Sequence, residues 1–129
     1  MSGLNTLGRG VLFVLTMILG AGLFPAARVA FAHAVLLESR PSLNGTVAGP
    51  DVPIELRFNV RIDASRSRLT LILPSGDAQP LPIRKQNSAE TIASEALGLQ
   101  AGIYHLRWQV LASDGHITRG EILFTVTRA

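Results

Sequence analysis

The chain has 129 residues, no cysteine, two methionines and a formal charge of +3 at neutral pH. Disulfide cross-links and thiolate metal sites are therefore excluded. The basic residues do not form a stripe with interleaved aromatic residues, so the composition gives no reason to expect nucleic-acid binding.

The first 32 residues have the pattern of an export signal. One basic residue, Arg9, precedes a long apolar run over residues 10–27, and Ala30-Phe31-Ala32 supplies the small-x-small pattern of a signal-peptidase site. An uncleaved membrane anchor is the competing interpretation, because the run is long enough to cross a bilayer. Pro25 and the small residues after it favour cleavage. We therefore expect a signal peptide over residues 1–32.

Removal of this leader changes the composition of the expected mature domain, residues 33–129. Both methionines and two arginines belong to the leader, which leaves ten basic residues against nine acidic ones. The mature domain has neither Met nor Cys, so it offers no soft sulfur ligand, and its stability must come from a packed core. Its histidines are His33, His105 and His116.

Seven strand-like runs follow one another in the mature domain, separated by turns rich in Gly, Pro, Asn and Ser. They cover residues 34–39, 52–58, 68–73, 79–84, 90–96, 104–112 and 121–127. Apolar and polar residues alternate in most of these runs, and no stretch has helical periodicity. The pattern predicts one all-β domain, an antiparallel β-sandwich of about seven strands.

The last two runs flank the tetrapeptide Ser113-Asp114-Gly115-His116. Asp-Gly between two strands is first of all a hairpin signal, because glycine tolerates the positive φ of tight turns. If successive strands alternate in direction, the loop after the sixth run lies at the same end of the sandwich as the start of the first run. This parity predicts that Asp114 and His116 lie close to His33, the first residue of the expected mature chain.

An N-terminal histidine can bind a metal ion through two atoms, its α-amine and its imidazole Nδ1. His33 would supply this pair after cleavage and His116 a third nitrogen, an arrangement called a histidine brace. Asp114 adds an oxygen in or near the same plane. Three nitrogens and one oxygen in tetragonal geometry favour Cu(II), whereas Zn(II) or Ni(II) would bind more weakly. The residues therefore predict a copper site with the ligands His33, Asp114 and His116.

Each of these residues also has an ordinary structural interpretation, and the sequence leaves both open. Asp114 is a common residue in an Asp-Gly turn, His116 fits an exposed strand edge, and an N-terminal histidine can follow cleavage by chance. His105 alternates with the core face of its strand and is expected on the surface, whereas Tyr104 and Trp108 are expected in the core. A catalytic triad, a nucleophile elbow and a phosphate-binding glycine loop are excluded by the spacing.

Almost the whole mature chain resembles the CopC-like periplasmic copper-resistance and copper-binding proteins. The residues that carry the resemblance are His33-Ala34, 39–45, 54–58, 104–116, Gly120 and 124–126. The block 104–116 is the most specific part, because it ends in Asp114-Gly115-His116. The family usually has proline after this motif, where the present chain has Ile117, and this difference does not touch the ligands.

The resemblance implies an immunoglobulin-like β-sandwich or Greek-key barrel in the periplasm. It also implies one Cu(II) ion per chain, bound by the amine and imidazole of His33, by Asp114 and by His116. Without methionine, the domain resembles the family members that bind Cu(II) only. Such proteins sequester copper, confer resistance or deliver the ion to a CopD-like membrane protein, which would be a separate polypeptide because this sequence ends at Ala129. We expect a monomer that is not an enzyme and binds neither nucleic acid nor polysaccharide.

Two other functions stay open at the level of the sequence. The first is a copper oxygenase similar to the polysaccharide monooxygenases, which use the same brace. Such enzymes need a flat aromatic surface, whereas the few aromatic residues of the mature chain lie on expected core faces. The second is a metal-free sandwich module for adhesion or assembly. Its melting temperature would not respond to copper, whereas a ligand that binds the native state raises it.

Overall fold

The computed structural model describes residues 33–128, which form strands and loops without a helix. The strands are β1 (Leu36–Arg40), β2 (Gly45–Ala48), β3 (Val52–Phe58), β4 (Ile62–Ile72), β5 (Ala78–Leu81), β6 (Thr91–Ala96), β7 (Gly102–Ala112) and β8 (Ile117–Thr127). This part of the chain contains no helix that is long and apolar enough to span a membrane. The expected signal peptide, residues 1–32, lies outside the described residues.

The strands form two sheets around a common core. One sheet has the order β1-β3-β6, and the other has the order β2-β8-β7-β4-β5. Neighbouring strands are antiparallel in every pair except β2 and β8, which are parallel. The expected immunoglobulin-like β-sandwich is confirmed, with one parallel pair at the edge of the larger sheet.

The core consists of side chains that alternate along the strands. In β3, every second residue is buried, as expected for side chains that point in turn to opposite faces of a sheet. The ring of Trp108 packs edge-on against Phe58, with 5.2 Å between the ring centroids. Tyr104 stacks on Phe124 at 5.6 Å. Tyr104 and Trp108 therefore belong to the core, as their alternation predicts.

The structure has eight strands in the described residues, where the sequence predicts about seven. The additional strand is β2, which directly follows a Pro-containing turn. It has only four residues and one large apolar side chain, Val47, so it offers no alternation to detect. β2 also lacks an antiparallel partner, because it is held by its parallel pairing with the end of β8.

Two other strands are longer than the sequence predicts. β4 begins at Ile62, six residues before the expected start, because a bulge between Asp63 and Arg68 interrupts the alternation. β8 begins at Ile117 instead of residue 121, because Gly120 lies inside the strand and breaks its apolar pattern. The run predicted over residues 79–84 forms the shorter strand β5, which ends at Leu81.

The additional strand does not reverse the direction of the chain, so the parity prediction holds. β1 and β2 follow one path that passes from the small sheet to the large one. The Asn44 amide donates a hydrogen bond of 2.7 Å to the Leu123 carbonyl, and β2 then runs parallel to the end of β8. At the other end of this path, His33 lies next to His116, which immediately precedes β8. The start of the described chain and the β7–β8 turn therefore share one end of the sandwich.

Candidate metal centre

The β7–β8 turn is a three-residue hairpin loop with glycine in the left-handed region. The Gly115 amide donates to the Ala112 carbonyl at 2.9 Å, and the Ala112 amide donates to the His116 carbonyl at 2.9 Å. Gly115 has a φ of 91°, as required by a type I turn that is closed by a bulged glycine. This geometry places Asp114 at the tip of the turn and His116 at the entrance to β8.

Within this turn, the side chain of Asp114 folds back over His116. Its Oδ1 accepts a hydrogen bond of 3.0 Å from the His116 amide, and its Oδ2 lies 3.3 Å from the His116 Nδ1. The hydrogen bond from the His116 amide is the main cause that lowers the pKa of the Asp114 carboxyl. The His116 side chain and the charge of His33 lower this pKa further, whereas desolvation partly opposes the shift. The carboxylate therefore stays ionised at neutral pH and in mild acid.

The first residues of the described chain are held by Asn59, which follows β3. The Val35 amide donates to the Asn59 Oδ1 at 2.7 Å, and the Asn59 amide donates back to the Val35 carbonyl at 3.1 Å. The Asn59 side-chain amide also reaches the His33 carbonyl at 3.4 Å. Ala34 is buried, with 4% of its surface exposed, so the backbone beside His33 is anchored in the core as well as by hydrogen bonds.

The same β3–β4 loop also contacts the β7–β8 turn. The Ser113 amide donates a hydrogen bond of 3.0 Å to the Arg61 carbonyl. Asn59 and Arg61 are two residues apart, so one short loop holds both the segment of His33 and the turn of Asp114. This loop explains how two segments about 80 residues apart in sequence come to lie side by side.

Together, these contacts bring the imidazole rings of His33 and His116 into an edge-on pair. Their centroids are 5.6 Å apart, and the angle between the ring planes is 76°. Two imidazoles that share one ion through metal–nitrogen bonds of about 2 Å have centroids at most about 6 Å apart. The rings are therefore close enough to bind the same ion, and Asp114 lies against one of them.

No group of three or more His, Cys, Asp or Glu side chains within residues 33–128 is arranged to hold a metal ion on its own. The side chains of His33, Asp114 and His116 therefore do not form a three-ligand group by themselves in this structure, and the expected site needs a fourth donor, the α-amine of His33. The amine of His33 exists only when the bond to Ala32 is cut, and in the uncut chain this nitrogen is a peptide amide. The structure thus brings His33, Asp114 and His116 together but does not test them as ligands.

His105 lies away from this group, on the outer face of the large sheet. Its Nδ1 lies 2.6 Å from the Glu121 Oε1, and 40% of its side chain is exposed. The sequence prediction that His105 is a surface residue is confirmed.

The sequence alone does not point to Asn59 or Arg61 as residues that shape this site. Asn59 directly follows a strong strand pattern, where polar residues are common, and Arg61 contributes only its backbone carbonyl. Their importance depends on hydrogen bonds across at least 24 residues of sequence, which no local motif encodes.

Comparisons with known proteins connect this chain with copper. Residues 36–127 match the model of the CopC domain. Copper resistance protein C of Xanthomonas campestris pv. juglandis is 30% identical over 109 residues, which are 78% of this chain and 85% of the relative. Copper transport protein CutJ of Bacillus subtilis is 24% identical over 105 residues, but the match spans only 19% of its length.

Two solved structures have the same fold. The crystal structure of CopC from Methylosinus trichosporium OB3b superimposes with a TM-score of 0.70 and 28% identity, over 74% of this chain and 95% of the other. PcoC, a methionine-rich copper resistance protein from Escherichia coli, superimposes with a TM-score of 0.62 and 27% identity, over 74% of this chain and all of the other.

Proposed function

Because this chain belongs to the CopC domain family, we propose that it is a periplasmic protein that binds one Cu(II) ion. The ligands in this proposal are the α-amine and imidazole of His33, the imidazole of His116 and the carboxylate of Asp114. The observation that carries it is the pairing of the two imidazole rings at 5.6 Å beside an ionised carboxylate. The proposal includes cleavage after Ala32, since the amine is otherwise blocked.

The chemistry of these donors fits Cu(II) better than other ions. Two imidazoles, an amine and a carboxylate are nitrogen and oxygen donors, and such sites bind Cu(II) most strongly among the first-row divalent ions. Soft sulfur ligands, which favour Cu(I), are missing from residues 33–129 because these contain neither Met nor Cys. The negative charge of Asp114 partly neutralises the ion.

The copper ion is cargo in this proposal, and the protein sequesters it, confers resistance or delivers it. The match to a segment of a copper transport protein supports delivery. We propose a CopD-like membrane protein as the recipient and a monomeric donor.

The proposal does not include an enzyme activity. Phe58, Tyr104, Trp108 and Phe124 are all buried in the core, so none of them offers an aromatic surface to a polysaccharide. This burial argues against a polysaccharide oxygenase that uses the same ligands. The metal-free module is tested by the experiment below.

The test compares two forms of the mature domain that differ by one residue. One begins at His33, and the other carries one additional alanine before His33. The additional residue separates the amine from the imidazole and destroys the chelate. In a competition titration with Cu(II), we expect this form to bind more than about 100-fold more weakly, because even outer partners of metal ligands are worth about 10- to 100-fold. Equal affinities for two equally stable folded forms would contradict the brace.

A further inference from the structure

A second polar site lies on the outer face of the large sheet, and its lining does not include His33, Asp114 or His116. A groove of about 520 Å³ crosses β4, β7 and β8 there. Its polar side chains are Arg68, Thr70, Arg107, Gln109, Arg119 and Glu121. The proposed copper site does not use any of these residues.

The strand register places three arginines close together in this groove. Arg68 is opposite Gln109, and Gln109 is opposite Arg119, so these three residues form one row across the sheet. Arg107 lies in the next row, between Thr70 and Glu121. No two of the arginines are direct cross-strand partners, but residues in neighbouring rows on one face are within reach of long side chains. One bound anion could therefore contact all three guanidinium groups.

The protein supplies only partial compensation. Glu121 is the one carboxylate that lines the groove, and it lies 2.6 Å from the His105 Nδ1 but 3.9 Å from the Arg107 Nε. The Arg119 Nε donates to the Gln109 Oε1 at 2.9 Å. Within residues 33–128, no hydrogen bond or ion pair engages the side chain of Arg68. Three guanidinium groups and one carboxylate leave the lining with an excess of positive charge.

Two arginines on the small sheet and the β5–β6 segment differ from the groove arginines in their partners. Arg57 pairs with Glu38 at 3.2 Å, and Arg84 pairs with Glu95. Each of these arginines has a carboxylate of its own. The groove lining therefore carries a local excess of positive charge, although the mature domain as a whole is nearly neutral, with ten basic and nine acidic residues.

We propose that this groove binds a soluble multivalent oxyanion, a small molecule with two or more phosphate or carboxylate groups. Guanidinium groups present planar forks of N–H donors that match the oxygens of phosphate and carboxylate. The Thr70 hydroxyl and the Gln109 amide add neutral donors between the arginines. The groove volume lies within the range of about 300 to 1,000 Å³ that is typical of small-molecule sites. This site is independent of the proposed copper function.

The test is a calorimetric titration of the copper-free mature protein with pyrophosphate at low ionic strength. The variant R68Q/R107Q/R119Q removes the three groove arginines. The control variant R57Q/R66Q/R84Q removes the same charge from arginines that are paired with Glu38, Asp63 and Glu95. These are exposed substitutions, and circular dichroism checks that each variant is folded.

We expect the unchanged protein and the control variant to bind one pyrophosphate with the same affinity, and the groove variant to lose binding. Each single groove substitution weakens binding by about tenfold or more, as expected for a charged hydrogen bond. The groove variant keeps its copper affinity, which separates this test from the proposed function. Failure of the unchanged protein to bind pyrophosphate, or equal weakening in both triple variants, overturns the proposal. So does binding to vesicles that contain phosphatidylglycerol without binding to pyrophosphate.

Discussion

Replacement of Asn59 by alanine is expected to weaken copper binding without removing a ligand. The Asn59 side chain accepts a hydrogen bond of 2.7 Å from the Val35 amide and donates one of 3.4 Å to the His33 carbonyl. Both bonds hold the backbone that carries the proposed amine and imidazole ligands. Asn59→Ala removes these two side-chain bonds and loosens the segment, whereas the backbone bond from residue 59 to the Val35 carbonyl and the contact of the loop with the β7–β8 turn remain.

The magnitude follows from the two lost hydrogen bonds. Each such bond contributes about 0.5 to 1.5 kcal/mol to the folded state, and the longer bond belongs at the weak end of this range. Val35 is 52% exposed, so water replaces the lost partner of its amide and limits the loss. We expect the ordered form of the segment to lose about 1 to 1.4 kcal/mol, which copper must then supply on binding. The copper affinity therefore falls by about five- to tenfold.

Two assays and one control variant distinguish this positioning role from a general loss of stability. Competition titration measures the copper affinity, and hydrogen exchange measures the protection of the Val35 amide, which should fall in Asn59→Ala. The control is Asn87→Ala, because Asn87 is exposed and its side chain forms no hydrogen bond within the described residues. If Asn59→Ala lowers the melting temperature but leaves the copper affinity unchanged, the positioning role is refuted.

Three other predictions concern packing, backbone conformation and pH. A Cβ at Gly120 would lie 2.1 Å from the Trp108 Cζ2. Gly120→Ala should therefore lower the free energy of unfolding by about 1 to 3 kcal/mol, and an unchanged melting temperature would contradict this packing. Gly115 has a φ of 91° but no atom near its missing Cβ, so Gly115→Ala should cost only about 1 to 2 kcal/mol in calorimetric stability and should also weaken copper binding. A loss of more than about 3 kcal/mol would contradict the open turn. Copper binding should weaken below about pH 6, because the amine and imidazoles must lose protons to bind. The pKa of Asp114 is lowered, so its carboxylate is still charged in this range, and Asp114→Asn should weaken binding without moving the midpoint of the acid loss.

Alternation of apolar and polar residues was sufficient to predict the strands that form the core. β3 has the predicted bounds, and β7 differs from its prediction by only two residues at its start. These strands have one face in the core and one face in solvent, which produces a period of two. β2 lies at an edge with little burial, and its position depends on pairing with β8, a long-range contact that its four residues do not encode.

Strand parity was sufficient to predict that His33 and His116 lie close together, although the structure has one strand more than the sequence predicts. The chain gains a strand but not a reversal, because β1 and β2 run along one path in the same direction. The contribution of Asn59 was not predictable, since it depends on where a loop of the folded domain meets a segment 24 residues earlier in sequence. The identity of the ligands depends on a cleavage event between residues 32 and 33, outside the described fold.

The proposed copper site is tested most directly by the intact mass of the protein recovered from the periplasm, measured with and without one equivalent of Cu(II). We expect a chain that begins at His33 and retains one copper ion at neutral pH, and we expect His116→Ala to lose that ion while keeping the same N-terminus. A chain that begins at another residue, or one that begins at His33 and retains no copper, would contradict the brace and leave Asp114 and His116 as ordinary residues of a hairpin turn.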